Sequence, residues 1–135
     1  LARLVIEYDG NSGDLPRSVI AKLPPSDPTL KAMSSKLGDD RREVRFYEEI
    51  APQSTIQTPY LYYSASDHNT GNAILLLEDM TNARPGDSVV GCSLADAQLA
   101  IRELAKFQSH WWESPSLRTL EWMPVKGRYK FWSGI

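Results

Sequence analysis

Val19-Ile20-Ala21-Lys22 is the stretch that decides how this chain is read. It is a short apolar run that ends on a lysine. Upstream, Leu4-Val5-Ile6-Glu7-Tyr8 has strand composition, and Asp9-Gly10-Asn11-Ser12-Gly13-Asp14, followed by Pro16, is dense in turn formers. Residues 3–23 therefore read as a hairpin, with residues 18–23 as the returning strand and Lys22 near its far end. Pro24-Pro25 closes the strand, because proline supplies no N–H to a ladder.

Working outward, Asp27-Pro28 has the form of an N-cap followed by proline at the first helical position. This predicts a short helix to about residue 36, broken by Gly38. Asp39 or Asp40 then caps a second helix that ends before Pro52. On it Glu43, Phe46, Tyr47 and Ile50 fall on one face by i, i+3 and i+4 spacing. A carboxylate on an apolar face points inward and needs a partner. Residues 59–66 and 72–77 read as a second strand pair, joined by Asp67-His68-Asn69-Thr70-Gly71. The later strand, Ile74-Leu75-Leu76-Leu77-Glu78-Asp79-Met80, runs from apolar into acidic residues.

Residues 81–91 form a loop rich in Gly, Pro, Asn and Asp. Ser93 with Asp96 then makes a capping box. The helix behind it sets Leu94, Ala97, Ile101, Leu104, Ala105 and Gln108 on one stripe and reaches Trp111-Trp112, with Pro115 just past its end. Residues 113–135 are aromatic without a period. The expected fold class is α+β: an antiparallel sheet with helices, followed by a further helix.

The 135 residues suffice for one domain. Apolar content of 41% and charged content of 24% are those of a globular chain. A net charge of -2 gives no drive toward nucleic acid or anionic lipid. The arginines at 41, 42 and 45 are surrounded by acids, so they read as a solvated helix face. Lys126-Gly127-Arg128-Tyr129-Lys130 is too short to hold nucleic acid. The single cysteine, Cys92, excludes an internal disulfide. His68 and His110 lack partners at metal-ligand spacing, so no metal site is expected. No stretch has the roughly 20 apolar residues of a membrane helix. A cytoplasmic location is the expectation.

These motifs, in this order, resemble the small-molecule kinases related to aminoglycoside phosphotransferases, in particular the choline/ecdysteroid-kinase-like branch. The matching segments are residues 16–24, which contain Val19-Ile20-Ala21-Lys22, then Arg42-Glu43-Val44-Arg45-Phe46-Tyr47, Leu75-Leu76-Leu77-Glu78-Asp79-Met80, and residues 104–112. The resemblance covers about residues 1–112. It implies a kinase-like N-terminal lobe over 1–80 that lacks its first strand, a linker over 81–92, and the start of a helical C-terminal lobe over 93–135.

It also implies roles. Lys22 grips the α- and β-phosphates of ATP, and Glu43 orients it. Ala21 forms part of the roof over adenine. Residues 78–80 are the linker, where adenine meets the Glu78 carbonyl and the Met80 amide, with Asp79 between them. The cofactors implied are ATP and Mg2+, and the acceptor is a hydroxyl of a small molecule. No H-x-D or D-F-G-like element occurs in the sequence. The catalytic base and the metal ligands are thus expected downstream, and this chain alone is expected not to catalyse transfer. A missing first strand would leave a sheet edge open to self-association. The rival readings are a non-catalytic binding module, or a pseudokinase lobe kept for regulation.

Overall fold

The first hairpin forms from β1 (Ala2–Val5) and β2 (Ser18–Lys22), which pair antiparallel with Ala2 opposite Ala21 and Val5 opposite Ser18. This is a computed structural model, and it describes residues 1–37, 39–67, 69–70 and 72–123, with the backbone alone for 35–37 and 39–40. β1 begins earlier than the predicted 4–8. Its pairing reaches only to Ile6, whose N–H donates to the Arg17 carbonyl at 3.0 Å. Beyond it the chain leaves the ladder for a wide loop in which Gly10 (φ 108°) and Gly13 (φ 50°) take left-handed conformations. Tyr8 belongs to that loop, and its hydroxyl pins the loop mouth by donating to the Pro16 carbonyl at 2.7 Å.

β3 (Leu61–Ser66) and β4 (Ala73–Glu78) form the second hairpin. The sheet is antiparallel throughout in the order β1-β2-β4-β3. β4 is central, which explains its apolar run. Ala73, Leu75 and Leu77 are buried and alternate with half-covered neighbours. β3 is an edge strand, and its register shifts between Leu61 and Tyr63. The predicted turn residues His68 and Gly71 lie outside the described residues, as does Gly38.

α1 (Pro28–Leu37) starts as expected: the Asp27 carboxylate accepts from the Thr29 and Leu30 N–H groups, both at 2.9 Å. The second helix differs from the single element predicted. α2 spans Asp39–Arg45, a π turn follows over Phe46–Ile50, and a 3-10 turn covers Ala51–Gln53. The Ala51 N–H bonds to the Phe46 carbonyl, the i to i−5 bond of a π turn. Pro52 lies inside the 3-10 turn rather than just beyond a helix.

The predicted inward face of this helix also needs correction. Val44 is its most buried residue before Ile50, and it joins Ala73, Leu75 and Leu77 in the core, with Tyr47 and Leu61 packed against them. α3 (Leu94–Trp111) is capped as predicted. Ser93 Oγ accepts from the Asp96 N–H at 3.1 Å and donates to the Asp96 carboxylate at 2.8 Å. Its apolar stripe stays open, however, with Leu94, Ile101 and Leu104 all more than half exposed. Trp111 at its end is buried, whereas Trp112 is 76% exposed. A 3-10 turn over Pro115–Thr119 follows. No helix among the described residues is long and apolar enough to cross a membrane.

Candidate functional site

α2 lies against β4, and Val44 is the anchor of that contact. One residue back, Glu43 turns about 100° around the helix axis, away from the core and toward the end of β2. There the register puts Lys22 opposite Leu75. The Lys22 Nζ donates to the Glu43 Oε2 in a direct ion pair. The two side chains remain 40% and 30% exposed, so the pair borders a cleft rather than the core. Leu23, Ala73 and Leu75 border a hollow beside it of about 10 Å³, the size of a single water. One helical turn past Glu43, the Tyr47 phenol is pushed above its ordinary range, by burial first and by the Glu43 charge second.

A second polar cluster sits at the opposite end of the same strands, where Val19 pairs with Glu78. Alternation along each strand places Arg3, Ser18, Ile20, Lys22, Leu75 and Leu77 on the face that α2 covers. Asp79 continues this parity past the end of β4. Its carboxylate accepts from the Ser18 hydroxyl at 2.6 Å and pairs with the Arg3 guanidinium at 2.7 Å. The side chain is only 5% exposed. The Ser18 hydroxyl first, and the Arg3 hydrogen bond and charge after it, hold Asp79 below the usual carboxylate range against the opposing effect of desolvation.

Glu78 and Met80 complete this end of the sheet. The Glu78 N–H donates to the Tyr60 carbonyl at 2.8 Å, while the Tyr60 N–H donates to the Glu78 carboxylate at 3.1 Å. The side chain thus takes the ladder bond that would otherwise return to the Glu78 carbonyl. After β4 the chain turns back on itself. The Thr81 N–H bonds to the Asp79 carbonyl at 2.8 Å and the Ala83 N–H to that of Met80 at 2.9 Å.

Of the residues singled out in the sequence, Lys22 and Glu43 are therefore in contact. Residues 78–80 lie at the other end of the same strands, about 10 Å away by the ordinary rise per residue, and of the three Asp79 has the parity of the Lys22 face. Ala21 is buried and, being adjacent to Lys22, points to the opposite side of the sheet. Ile20 shares the Lys22 face and stands opposite Leu77. Arg3 and Ser18 were missed by sequence reasoning. Their one signal is the hairpin register, since Arg3 and Ser18 take the parity of Lys22 once the turn is placed.

The other candidates are scattered. His110 and Cys92 are exposed, and His110 stacks edge-on against Trp111. His68 and residues 126–130 lie outside the described residues. Among the described residues no three His, Cys, Asp or Glu side chains are grouped closely enough to hold a metal ion between them.

Comparison with known proteins gives a match at the level of the family. The sequence profile of the ecdysteroid kinase-like family matches residues 1–110. No curated protein and no solved structure matches the chain.

Proposed function

We propose, since the chain belongs to the ecdysteroid kinase-like family, that it supplies the nucleotide-gripping lobe of an ATP-dependent phosphotransferase acting on a hydroxyl of a small molecule. The observation that carries this reading is the partly exposed Lys22–Glu43 ion pair between β2 and α2. Phosphoryl transfer asks the protein for position and charge neutralisation more than for covalent chemistry. The lysine ammonium on β2 supplies a cation for the α- and β-phosphates. Its stem has four rotatable carbons, and the Glu43 carboxylate restricts them.

At the far end, residues 78–80 offer main-chain groups to a purine. Diversion of the Tyr60 N–H to the Glu78 carboxylate favours this, because it releases a carbonyl from the ladder. The acceptor hydroxyl, its base and the metal ion belong to groups outside the described residues.

Titrating the chain with ATP by isothermal calorimetry, with and without Mg2+, tests the proposal. A charge-assisted lysine–phosphate contact is worth about 1.5–3 kcal/mol, so Lys22→Ala should weaken binding by roughly 10–100-fold. Glu43→Gln should weaken it less, because the cation survives without its guide. Arg118→Ala, on the 3-10 turn after α3, is the control. Equal affinity for the parent chain and Lys22→Ala would remove the phosphate-gripping role and favour a binding module of another kind.

A further inference from the structure

Lys22 shares its face of the sheet with a second cation that a carboxylate holds. Arg3 of β1 has the parity of Lys22, and the register sets it in one row with Ile20 of β2 and Leu77 of β4. Its guanidinium grips Asp79 side-on: Nε lies 2.7 Å from Oδ2, and Nη2 donates to Oδ1 at 3.0 Å. The Ser18 hydroxyl also donates to Oδ2, at 2.6 Å. The carboxylate is thus fixed from two strands. The guanidinium that it holds is a flat group with one edge committed, and its two faces take no part in this contact.

Stability alone is a weak reason for such a pair, because desolvating the carboxylate offsets much of the attraction. What the two-pronged contact supplies is orientation, since it fixes the plane of the cation as well as its position.

We propose that Arg3 is a second nucleotide-contacting residue, whose guanidinium stacks on the purine ring, and that Asp79 is its positioning residue as Glu43 is for Lys22. This rests on residues 78–80 being the backbone that meets the purine. A purine that meets the Glu78 carbonyl and the Met80 N–H by its edge turns a ring face to the sheet. The row nearest that end of the sheet face is Arg3, Ile20 and Leu77. Leu77 is buried in the core beside Val44, so Ile20 and Arg3 meet the ring. Ile20 covers it as any alkyl group would, whereas a guanidinium is attracted to the negative face of the π system. Lys22 stands two residues further along the strand from this row, so Arg3 meets the base and Lys22 the phosphates. The contact is made across the face of β1 and is independent of what pairs with its outer edge.

Calorimetry on the chain with ATP, adenosine and inorganic tripolyphosphate separates the base from the phosphates. Arg3→Ala should weaken ATP and adenosine by one common factor, about 3–30-fold, and leave tripolyphosphate unchanged. Lys22→Ala should weaken ATP and tripolyphosphate and spare adenosine. Arg3→Lys keeps the charge opposite Asp79, and with it the tie between the strands, but a compact ammonium has no flat face. It should melt with the parent chain and still lose adenosine affinity several-fold. Asp79→Asn should weaken adenosine in the parent chain and add nothing in Arg3→Ala, because its effect runs through the guanidinium.

Two results overturn the stacking role. Arg3→Lys that binds adenosine as the parent does would leave Arg3 a tie between strands. Arg3→Ala that loses tripolyphosphate and keeps adenosine would make it a phosphate contact. A further loss from Asp79→Asn in the Arg3→Ala background would overturn the positioning role of Asp79. ATP binding that needs Lys22 and ignores Arg3 would remove this inference and leave the phosphate grip standing, whereas a parent chain that binds none of the three probes would remove both.

Discussion

At the scale of single residues, the two ends of the cleft face differ in kind. The Lys22–Glu43 pair is partly open to solvent. The Asp79 cluster is closed, which governs its acid–base behaviour. Its carboxylate is held below the ordinary range, so it contributes stability at neutral pH. That contribution is intact above the unfolded value of about 3.9 and fades as pH falls through the lower folded value. Thermal melts should therefore drop on acidification below about pH 4 more steeply for the parent chain than for Asp79→Asn, and parallel curves would contradict this. Tyr47 offers a separate probe of the cleft. Glu43→Gln removes one of the two causes that raise its phenol, so its ultraviolet titration should move back toward the ordinary value while part of the shift, due to burial, persists.

At the scale of elements, legibility in the sequence tracked how local each cause is. The first hairpin was readable because Gly10 and Gly13 sit where the chain must adopt positive φ. α1 and α3 were readable because Asp27 and Ser93 cap them through their own side chains. The contact between Lys22 and Glu43 was expected through the family resemblance, although Glu43 turns toward the end of β2 rather than into the core. The π turn was not readable. Val44 and Ile50, six residues apart, serve different neighbours: Val44 faces the sheet, and Ile50 lines a cavity with Phe107 and Trp111. Meeting both sets the backbone, and neither demand is written in local propensity. The Arg3–Ser18–Asp79 cluster was missed for the same reason, because its members come from two strands and the residue that follows a third. Two expectations belong here. Leu75→Ala, which opens a cavity between β4 and α2, should cost about 2–5 kcal/mol in urea unfolding. Ser93→Ala should cost about 1 kcal/mol, chiefly as helical circular dichroism lost from α3 rather than as sheet stability.

At the scale of the whole molecule, the buried apolar residues among those described are few, and the open stripe of α3 leaves a broad apolar surface exposed. The folded chain should accordingly bind the dye ANS. Replacing both Ile101 and Leu104 by Lys should cut that fluorescence while shifting the melting temperature little, since neither side chain is packed. A loss of fold in that variant would show that the stripe is covered after all. The Asp79 cluster has a mechanical consequence as well. By holding Ser18 of β2 and Arg3 of β1, Asp79 fastens the exit of β4 to the hairpin that carries Lys22. The strands and the residue that follows β4 are thus held as one unit. The separation between Lys22 and residues 78–80 is thereby fixed by the hairpin and its tie to Asp79, whatever the chain beyond Met80 does.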